Sequence, residues 1–418
     1  MSFTSIMEQK HRLPKKKRGD CQKPNEDYLR AMPKGDLHRH LGGSMSFERF
    51  DHEVRRQGLE SEIVRIAGEN GFQMDAYDKD KLHTIICDPG QFETLGPYLT
   101  RFKLTERVLM DRQALRETSE EIARSAVENE GVRYLELRFS PTNYICDGLW
   151  SKKIIEAVVE GLCSAEDPFK HEKMEPDWRG YKRHVVKYGF RTGLIISGMK
   201  CSMVDPETIA DPIERQKIKQ AQFNLRETVD IATVAKKYYQ EHHFPIGFDL
   251  CGAEDFPLKA FKHYLYKIDD AKMQRTIHAG ESANHAAISA AIYDLSANRI
   301  GHGTKLYFHQ SLLDYIVANS IALEVCLSSN AHTNTTTRRS VTPAGMYLDA
   351  GAKVVPCTDN TTMDNTDLIQ EYMHFANIFE LNRYQCKLLA WNSLWGGFLH
   401  IKDKLPFISD CIDMMDQM

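Results

Sequence analysis

The sequence predicts a (β/α)8 barrel, on three observations. Eight short apolar runs are separated by longer amphipathic stretches, the runs recur at one spacing, and polar residues gather at their C-terminal ends. In order, the runs are Asp36–His38, Val132–Phe139, Arg191–Ser197, Ile246–Cys251, Thr276–His278, Arg299–His302, Ile321–Cys326 and Ala352–Cys357. Between them, Asp111–Asn129, Ile213–Gln240 and Asn284–Ser296 read as amphipathic helices. From Asp249 to His278, His302, Leu327 and Asp359 the steps are 29, 24, 25 and 32 residues, the length of one strand–loop–helix–loop unit. The alternative, an open doubly wound sheet, wants a glycine-rich phosphate turn, and Gly301-His302-Gly303 lacks the third glycine at the needed spacing.

A barrel needs ~250 residues, so the 418-residue chain carries a surplus. It falls in residues 45–100 after the first strand, in Glu166–Lys187 between strands two and three, in helices after strand eight, and at the N-terminus. Residues 1–30, with Pro14-Lys15-Lys16-Lys17-Arg18 at their centre, read as a flexible basic arm, with a nuclear-import patch as the alternative. Residues 31–418 read as a single catalytic barrel.

Composition narrows the function. The 54 Lys and Arg against 58 Asp and Glu argue against broad nucleic-acid binding. The ten cysteines are scattered, no two within four residues of each other, which excludes CxxC modules and makes a disulfide framework unexpected. No apolar run approaches eighteen residues and the N-terminus lacks a signal-like apolar stretch, so a soluble, cytoplasmic protein without a membrane partner is expected.

The chemistry sits at the strand ends, the face that carries barrel active sites. His38-Arg39-His40 closes the first strand, and an HxH pair on an extended strand points both imidazoles to one side. His278-Ala279-Gly280-Glu281 adds a third imidazole and a carboxyl group, Gly301-His302-Gly303 another histidine, and Thr358-Asp359-Asn360 a carboxylate after the last strand. Taken singly, each has an ordinary structural reading: a core histidine, a solvated glutamate, a helix cap. Taken together, three imidazoles and Asp359 would converge at one barrel mouth and hold one Zn2+ with a position left for water. Zinc would lower the pKa of that water to roughly 7. Glu281 is suited to protonating an atom that gains charge when hydroxide adds to a C=N carbon, and His302 to orienting the water or taking its proton.

The ordered set resembles the adenosine deaminase family of the amidohydrolase superfamily. The resemblance is carried by Pro33–Leu41 (PKGDLHRHL), Glu136–Pro141 (ELRFSP), Asp249–Gly252 (DLCG), His278–Glu281 (HAGE), Arg299–Gly303 (RIGHG), Leu323–Asn330 (LEVCLSSN) and Thr358–Asn360 (TDN). It implies zinc ligands at His38, His40, His278 and Asp359, a proton donor to the purine ring nitrogen N1 at Glu281, a residue that positions the attacking hydroxide at His302, and a backbone N–H to purine N3 at Gly252. The implied substrate is a purine nucleoside, and the implied reaction replaces the 6-amino group by oxygen.

Two positions depart from the family pattern. The adenosine enzymes usually carry, after HxHL, an Asp that holds a ribose hydroxyl; here Gly42 stands there. Family members commonly have Asp at the position of Asn360, whose amide always offers a donor to purine N7. Gly42 therefore leaves open a nucleotide, an N6-substituted aminopurine or a 5′-modified adenosine, with Arg39, Lys200 and Lys305 as candidates for a phosphate. A non-catalytic binding barrel is the reading from another class, and the intact metal and acid set weighs against it. The HxE…PCxxC deaminase pattern and HExxH are absent, and strand four, Gly247-Phe248-Asp249-Leu250, offers no metal-bridging lysine, so one metal is expected.

Overall fold

Burial on both faces turns each apolar run into a strand, the condition under which a parallel strand reads as continuously apolar. The computed structural model describes residues 12–88, 90, 92, 95–166, 189–240 and 243–418. The strands are β1 (Lys34–His40), β2 (Val132–Phe139), β3 (Arg191–Met199), β4 (Ile246–Cys251), β5 (Thr276–Ala279), β6 (Arg299–His302), β7 (Ala322–Val325) and β8 (Lys353–Pro356). Neighbours pair in parallel and in sequence order, β1 to β4 in one half and β5 to β8 in the other. At one seam Phe248 donates its N–H to Gln274 O at 3.0 Å, beside a bridge to Arg275. At the other, Asp359 N–H donates to His38 O and Asp359 O accepts from His40 N–H, each at 2.7 Å. The expected barrel is thus a closed ring, and Asp359 stitches its last strand to its first.

The outer helices follow the 3.6-residue period. Arg112–Glu128, capped by Asp111 accepting from Ala114 N–H, buries Ala114, Leu115, Thr118, Ser119, Ile122, Ala123 and Ala126 as one stripe. The expected insertion after β1 is helical, at Phe47–Gln57, Glu60–Glu69, Lys79–Cys87 and Leu95–Thr100, with Phe102–Val108 following. The expected insertion before β3 lies, beyond Glu166, outside the described residues. After β8 come Leu368–Ile378, Arg383–Gly396 and Ile401–Gln417. The middle one covers the barrel floor: Ser393 Oγ accepts from Gly35 N–H at 2.7 Å, and Asn392 Nδ2 donates to Val354 O at 3.1 Å.

The N-terminal stretch differs from the expectation of a flexible arm. Residues 1–11 lie outside the described residues, but 12–31 pack on the C-terminal helices. Asp20 and Lys387 form a buried ion pair at 3.0 Å, Trp391 Nε1 donates to Arg12 O, and Asn25 caps the helix Glu26–Ala31, which buries Tyr28 and Leu29. Lys15, Lys16, Lys17 and Arg18 remain exposed. The charge run dominates the composition there, while the anchoring is done by the few residues around it. All ten cysteines are free, and no helix among the described residues is long and apolar enough to cross a membrane.

Candidate active site

The C-terminal ends of the strands bring the expected polar residues together. His38 and His40 end β1, His278 lies in β5, His302 ends β6 and Asp359 follows β8. Ring centroids are 4.6 Å apart for His38–His278, 4.9 Å for His38–His302, 5.3 Å for His38–His40 and 5.1 Å for His278–His302. Asp359 Oδ1 lies 3.3 Å from His40 Nε2 and 3.5 Å from His38 Nε2. Glu281 Oε2 lies 3.7 Å from His302 Nε2, which is 3.9 Å from Asp359 Oδ2. His302 and Asp359 have φ of 64° and 63°, a left-handed backbone that costs a side-chain-bearing residue about 1–3 kcal/mol. Two such residues, at the ends of β6 and β8, are what a site built for geometry carries.

Behind the imidazoles lies a fixed set of acceptors. Glu324 Oε2 accepts from His38 Nδ1 at 2.8 Å, Asp249 Oδ2 from His278 Nδ1 at 2.9 Å, and Asn330 Oδ1 from His302 Nδ1 at 2.9 Å. With Nδ1 committed as donor, each ring turns Nε2 and its lone pair toward the centre. The acceptors are held by buried arginines: Arg138 bonds Glu324 at 2.8 Å and Asp249 at 3.3 Å, and Arg299 bonds Glu324 and Glu136, both at 2.5 Å. Burial alone would raise the Glu324 carboxyl, yet Arg138 and Arg299 hold it down to about 2, so it stays anionic.

The donor set fits a divalent metal. His38 Nε2 is buried with no hydrogen-bond partner, an orphaned lone pair in the middle of the cluster. Burial keeps His40 neutral, with its pKa down to about 3, and pushes His38 lower than a free imidazole as well. Burial opposes the charge of Asp359, but the nearby imidazoles, His302 foremost, lower its pKa below the usual carboxylate value. Neutral imidazoles and one carboxylate are ligands that zinc takes. His38, His40 and Asp359 place donor atoms within 4.8 Å of one another, as do His38, His278 and His302.

Glu281 differs from Asp359 in its titration. Burial raises its carboxyl above the usual range, only partly offset by His302, a direction opposite to that of Asp359. His302 moves the other way from its neighbours: burial works against its charge, but Glu281 and Asp359 outweigh it and raise its pKa. Two groups that can each carry a proton thus stand within 4 Å of each other.

A cavity of about 400 Å3 opens over these groups. Its floor is His40, His278, Glu281, His302 and Asp359, its walls include Leu95, Leu99, Phe102, Phe139 and Met199, and Gly252 and Asn360 line it too. The size suits a small organic ligand. Gly252 turns at φ 90°, and a Cβ there would meet Met199 at 3.0 Å. Asn360 Nδ2 donates to Tyr98 Oη at 2.7 Å, and its Oδ1 would lie 1.9 Å from a Cβ on Gly43, so only glycine leaves room for it. Arg39, considered above for a phosphate, is buried and bonded to Asp36 and Glu130, and Lys305 donates to Thr335 O; neither lines the cavity. Lys200 does line it, buried and 3.6 Å from Glu254.

Sequence comparison agrees with this geometry. Residues 33–173 and 216–414 match the family model described as adenosine deaminase.

The chain belongs to the adenosine deaminase family. Its members are metal-dependent hydrolases that cleave C–N bonds, and this chain is an enzyme of that class. An adenosine deaminase of Enterococcus faecalis is 29% identical over 91% of this chain and 96% of its own. A probable adenosine deaminase of Dictyostelium discoideum is 28% identical over 83% of this chain, which spans 38% of that longer protein. Among solved structures, Arabidopsis ADAL complexed with IMP superposes at a TM-score of 0.67, 22% identical, covering 94% and 99% of the two chains. An amidohydrolase of Burkholderia ambifaria with bound Zn gives a TM-score of 0.67 at 16% identity, covering 97% of each.

Several groups of this site carry no mark of their role in their residue type alone. Glu324, Asp249, Arg138 and Asn330 all stood inside the quoted motifs but had no assigned role, and their position directly behind the imidazoles supplies one. Glu254, which accepts from the N–H groups of Ser282 and Ala283 at 2.8 and 2.7 Å, pins the loop after Glu281. Tyr98 sits in a helix with no motif to mark it.

Proposed function

We propose that this protein hydrolytically deaminates a 6-aminopurine nucleoside, giving the 6-oxopurine and ammonia. The observation that carries the reading is geometric: His38, His40, His278 and Asp359 meet at the floor of one cavity of about 400 Å3, with Glu281 Oε2 and His302 Nε2 3.7 Å apart beside them. His38, His40, His278 and Asp359 would hold one zinc ion, and their orientation by Glu324 and Asp249 supports that assignment. Bound there, zinc would lower the pKa of water and make a nucleophile available at neutral pH.

The remaining steps belong to the chain's own side chains. As oxygen adds to C6, the electrons of the C6–N1 double bond move onto N1, and Glu281 gives N1 its proton. His302 takes the proton of the attacking water through Nε2, its Nδ1 being committed to Asn330. Returning that proton to the exocyclic amine lets the bond from C6 to that amine break and ammonia leave, while the C6 hydroxyl gives its remaining proton to the Glu281 carboxylate as the 6-oxo group forms. Gly252, through its N–H, and Asn360, through its amide, orient the ring, and Phe102, Leu95 and Leu99 exclude water from the face above.

The nucleoside reading is supported over a nucleotide by charge. Each cation lining the cavity, among the described residues, faces a carboxylate: Lys103 lies 3.8 Å from Glu106, Lys200 3.6 Å from Glu254, and Arg138 between Asp249 and Glu324. The test follows the 6-oxopurine product from adenosine, deoxyadenosine, adenine, AMP, methylthioadenosine and N6-methyl-AMP with the zinc-loaded protein. Fastest turnover of adenosine or deoxyadenosine is expected. Turnover of none of them, with zinc bound, removes the proposal.

A further inference from the structure

Position 42 is where the cavity wall is unusual. A Cβ on Gly42 would touch a neighbouring element, 3.3 Å from Thr105 Oγ1 and 3.5 Å from both Phe102 and Tyr144 Oη. The helix Phe102–Val108 therefore lies directly against the backbone that follows His40. One residue past Thr105, Glu106 brings a carboxylate to the same cavity. That side chain is 16% exposed, its Oε1 accepts from Asn143 Nδ2 at 2.6 Å, and its only cationic neighbour among the described residues is the exposed Lys103 at 3.8 Å. Ser140, Asn143 and Tyr144 line the same cavity.

This sector differs chemically from the rest of the cavity. Leu95, Leu99, Phe102 and Met199 suit the faces of a flat ring, whereas Glu106 with Asn143 and Tyr144 presents acceptors and hydroxyl groups, a surface for a polyol. A carboxylate accepts hydrogen bonds from hydroxyl groups and repels a phosphate in the same place. We propose that Glu106 is the residue that selects the N9 substituent, accepting a hydrogen bond from a sugar hydroxyl of the substrate and disfavouring a phosphorylated sugar. The inference rests on the site being an aminopurine deaminase and adds which residue reads the far end of the substrate.

The experiment compares wild-type, Glu106→Gln and Glu106→Asp zinc enzymes. kcat/KM is measured for adenosine and AMP, and Kd by calorimetry for the products inosine and IMP. Gln keeps an acceptor for Asn143, so the fold should survive, and thermal melting checks this. The adenosine-to-AMP selectivity should fall about 10- to 100-fold in Glu106→Gln, the range of one hydrogen bond to a charged group. The change should lie mainly in KM, the inosine-to-IMP affinity ratio should shift the same way, and Glu106→Asp should fall between. Selectivity and affinity ratios within about threefold of wild type would overturn the inference, as would a wild-type preference for AMP; both leave the deaminase reading standing. Wild-type protein that converts no aminopurine overturns that reading and this inference with it.

Discussion

Asn360 donates through Nδ2 to the Tyr98 hydroxyl at 2.7 Å, and that hydroxyl donates in turn to Asp364 at 3.0 Å. The contact ties the loop after β8 to the helix Leu95–Thr100 in the insertion after β1, so two segments that line the cavity are bonded to each other. On the far side Asp364 accepts from His332 at 3.0 Å. The amide is therefore aimed by a buried chain of polar groups.

Tyr98→Phe should expose the value of that chain. It leaves Asn360 unanchored and one Asp364 oxygen without a donor, a loss of about 1–3 kcal/mol. KM should rise about 5- to 30-fold with a smaller change in kcat, and the melting temperature should fall. Gly43→Ala should raise KM by a different route, since its Cβ would displace Asn360 Oδ1. Steady-state kinetics on both variants check the pair; an unchanged KM in both would remove Asn360 from substrate binding.

Glu281→Gln tests the proton donor. The amide is isosteric but cannot supply the proton, so kcat should drop about 100- to 10,000-fold. Zinc content by atomic emission should match wild type, because Glu281 sits beside His302 and is not assigned to the metal. A wild-type rate in this variant would mean that the proton comes from elsewhere.

Asp249→Asn and Glu324→Gln test the acceptors behind the imidazoles. Each weakens the hold on one Nδ1–H, and zinc affinity measured by chelator competition should fall about 10- to 100-fold. Their stabilities should differ. Glu324 bonds Arg138 and Arg299 as well as His38, whereas Asp249 pairs with Arg138 and His278. Glu324→Gln therefore strips an anion from two buried guanidinium groups and should melt lower than Asp249→Asn. The reverse order would place the main support of the ion network elsewhere.

The sequence displays the barrel because its strands are buried on both faces and so appear as unbroken apolar runs. It displays the floor of the cavity because metal and proton chemistry needs particular side chains at strand ends. The ion network is hidden for the opposite reason. Arg138, Glu136, Arg299 and Glu324 are charges inside strands, and their partners lie 25, 163 and 186 residues away, so no single spacing or periodicity pairs them. Tyr98 and Glu106 are hidden differently: they sit in short helices where an aromatic or a glutamate is ordinary, and only the path of the insertion over the barrel mouth gives them a role. The fold of residues 12–31 was masked by its own exposed lysines.

Glu371 gives a pH dependence that can be read apart from catalysis. Its carboxyl is fully buried, accepts from Leu327 N–H and the Thr366 hydroxyl at 3.0 Å each, and is pushed by burial from 4.5 up to about 7. The folded state therefore binds this proton more tightly than the unfolded chain. The stabilisation is fully present below about pH 4.5 and is lost as pH rises through about 7, a change on the order of 3 kcal/mol. Glu371→Gln removes the titrating group and keeps a neutral side chain of the same shape. Its unfolding free energy from denaturant titration should lose less than wild type's between pH 5.5 and pH 8. Equal losses would assign the alkaline destabilisation to another buried group.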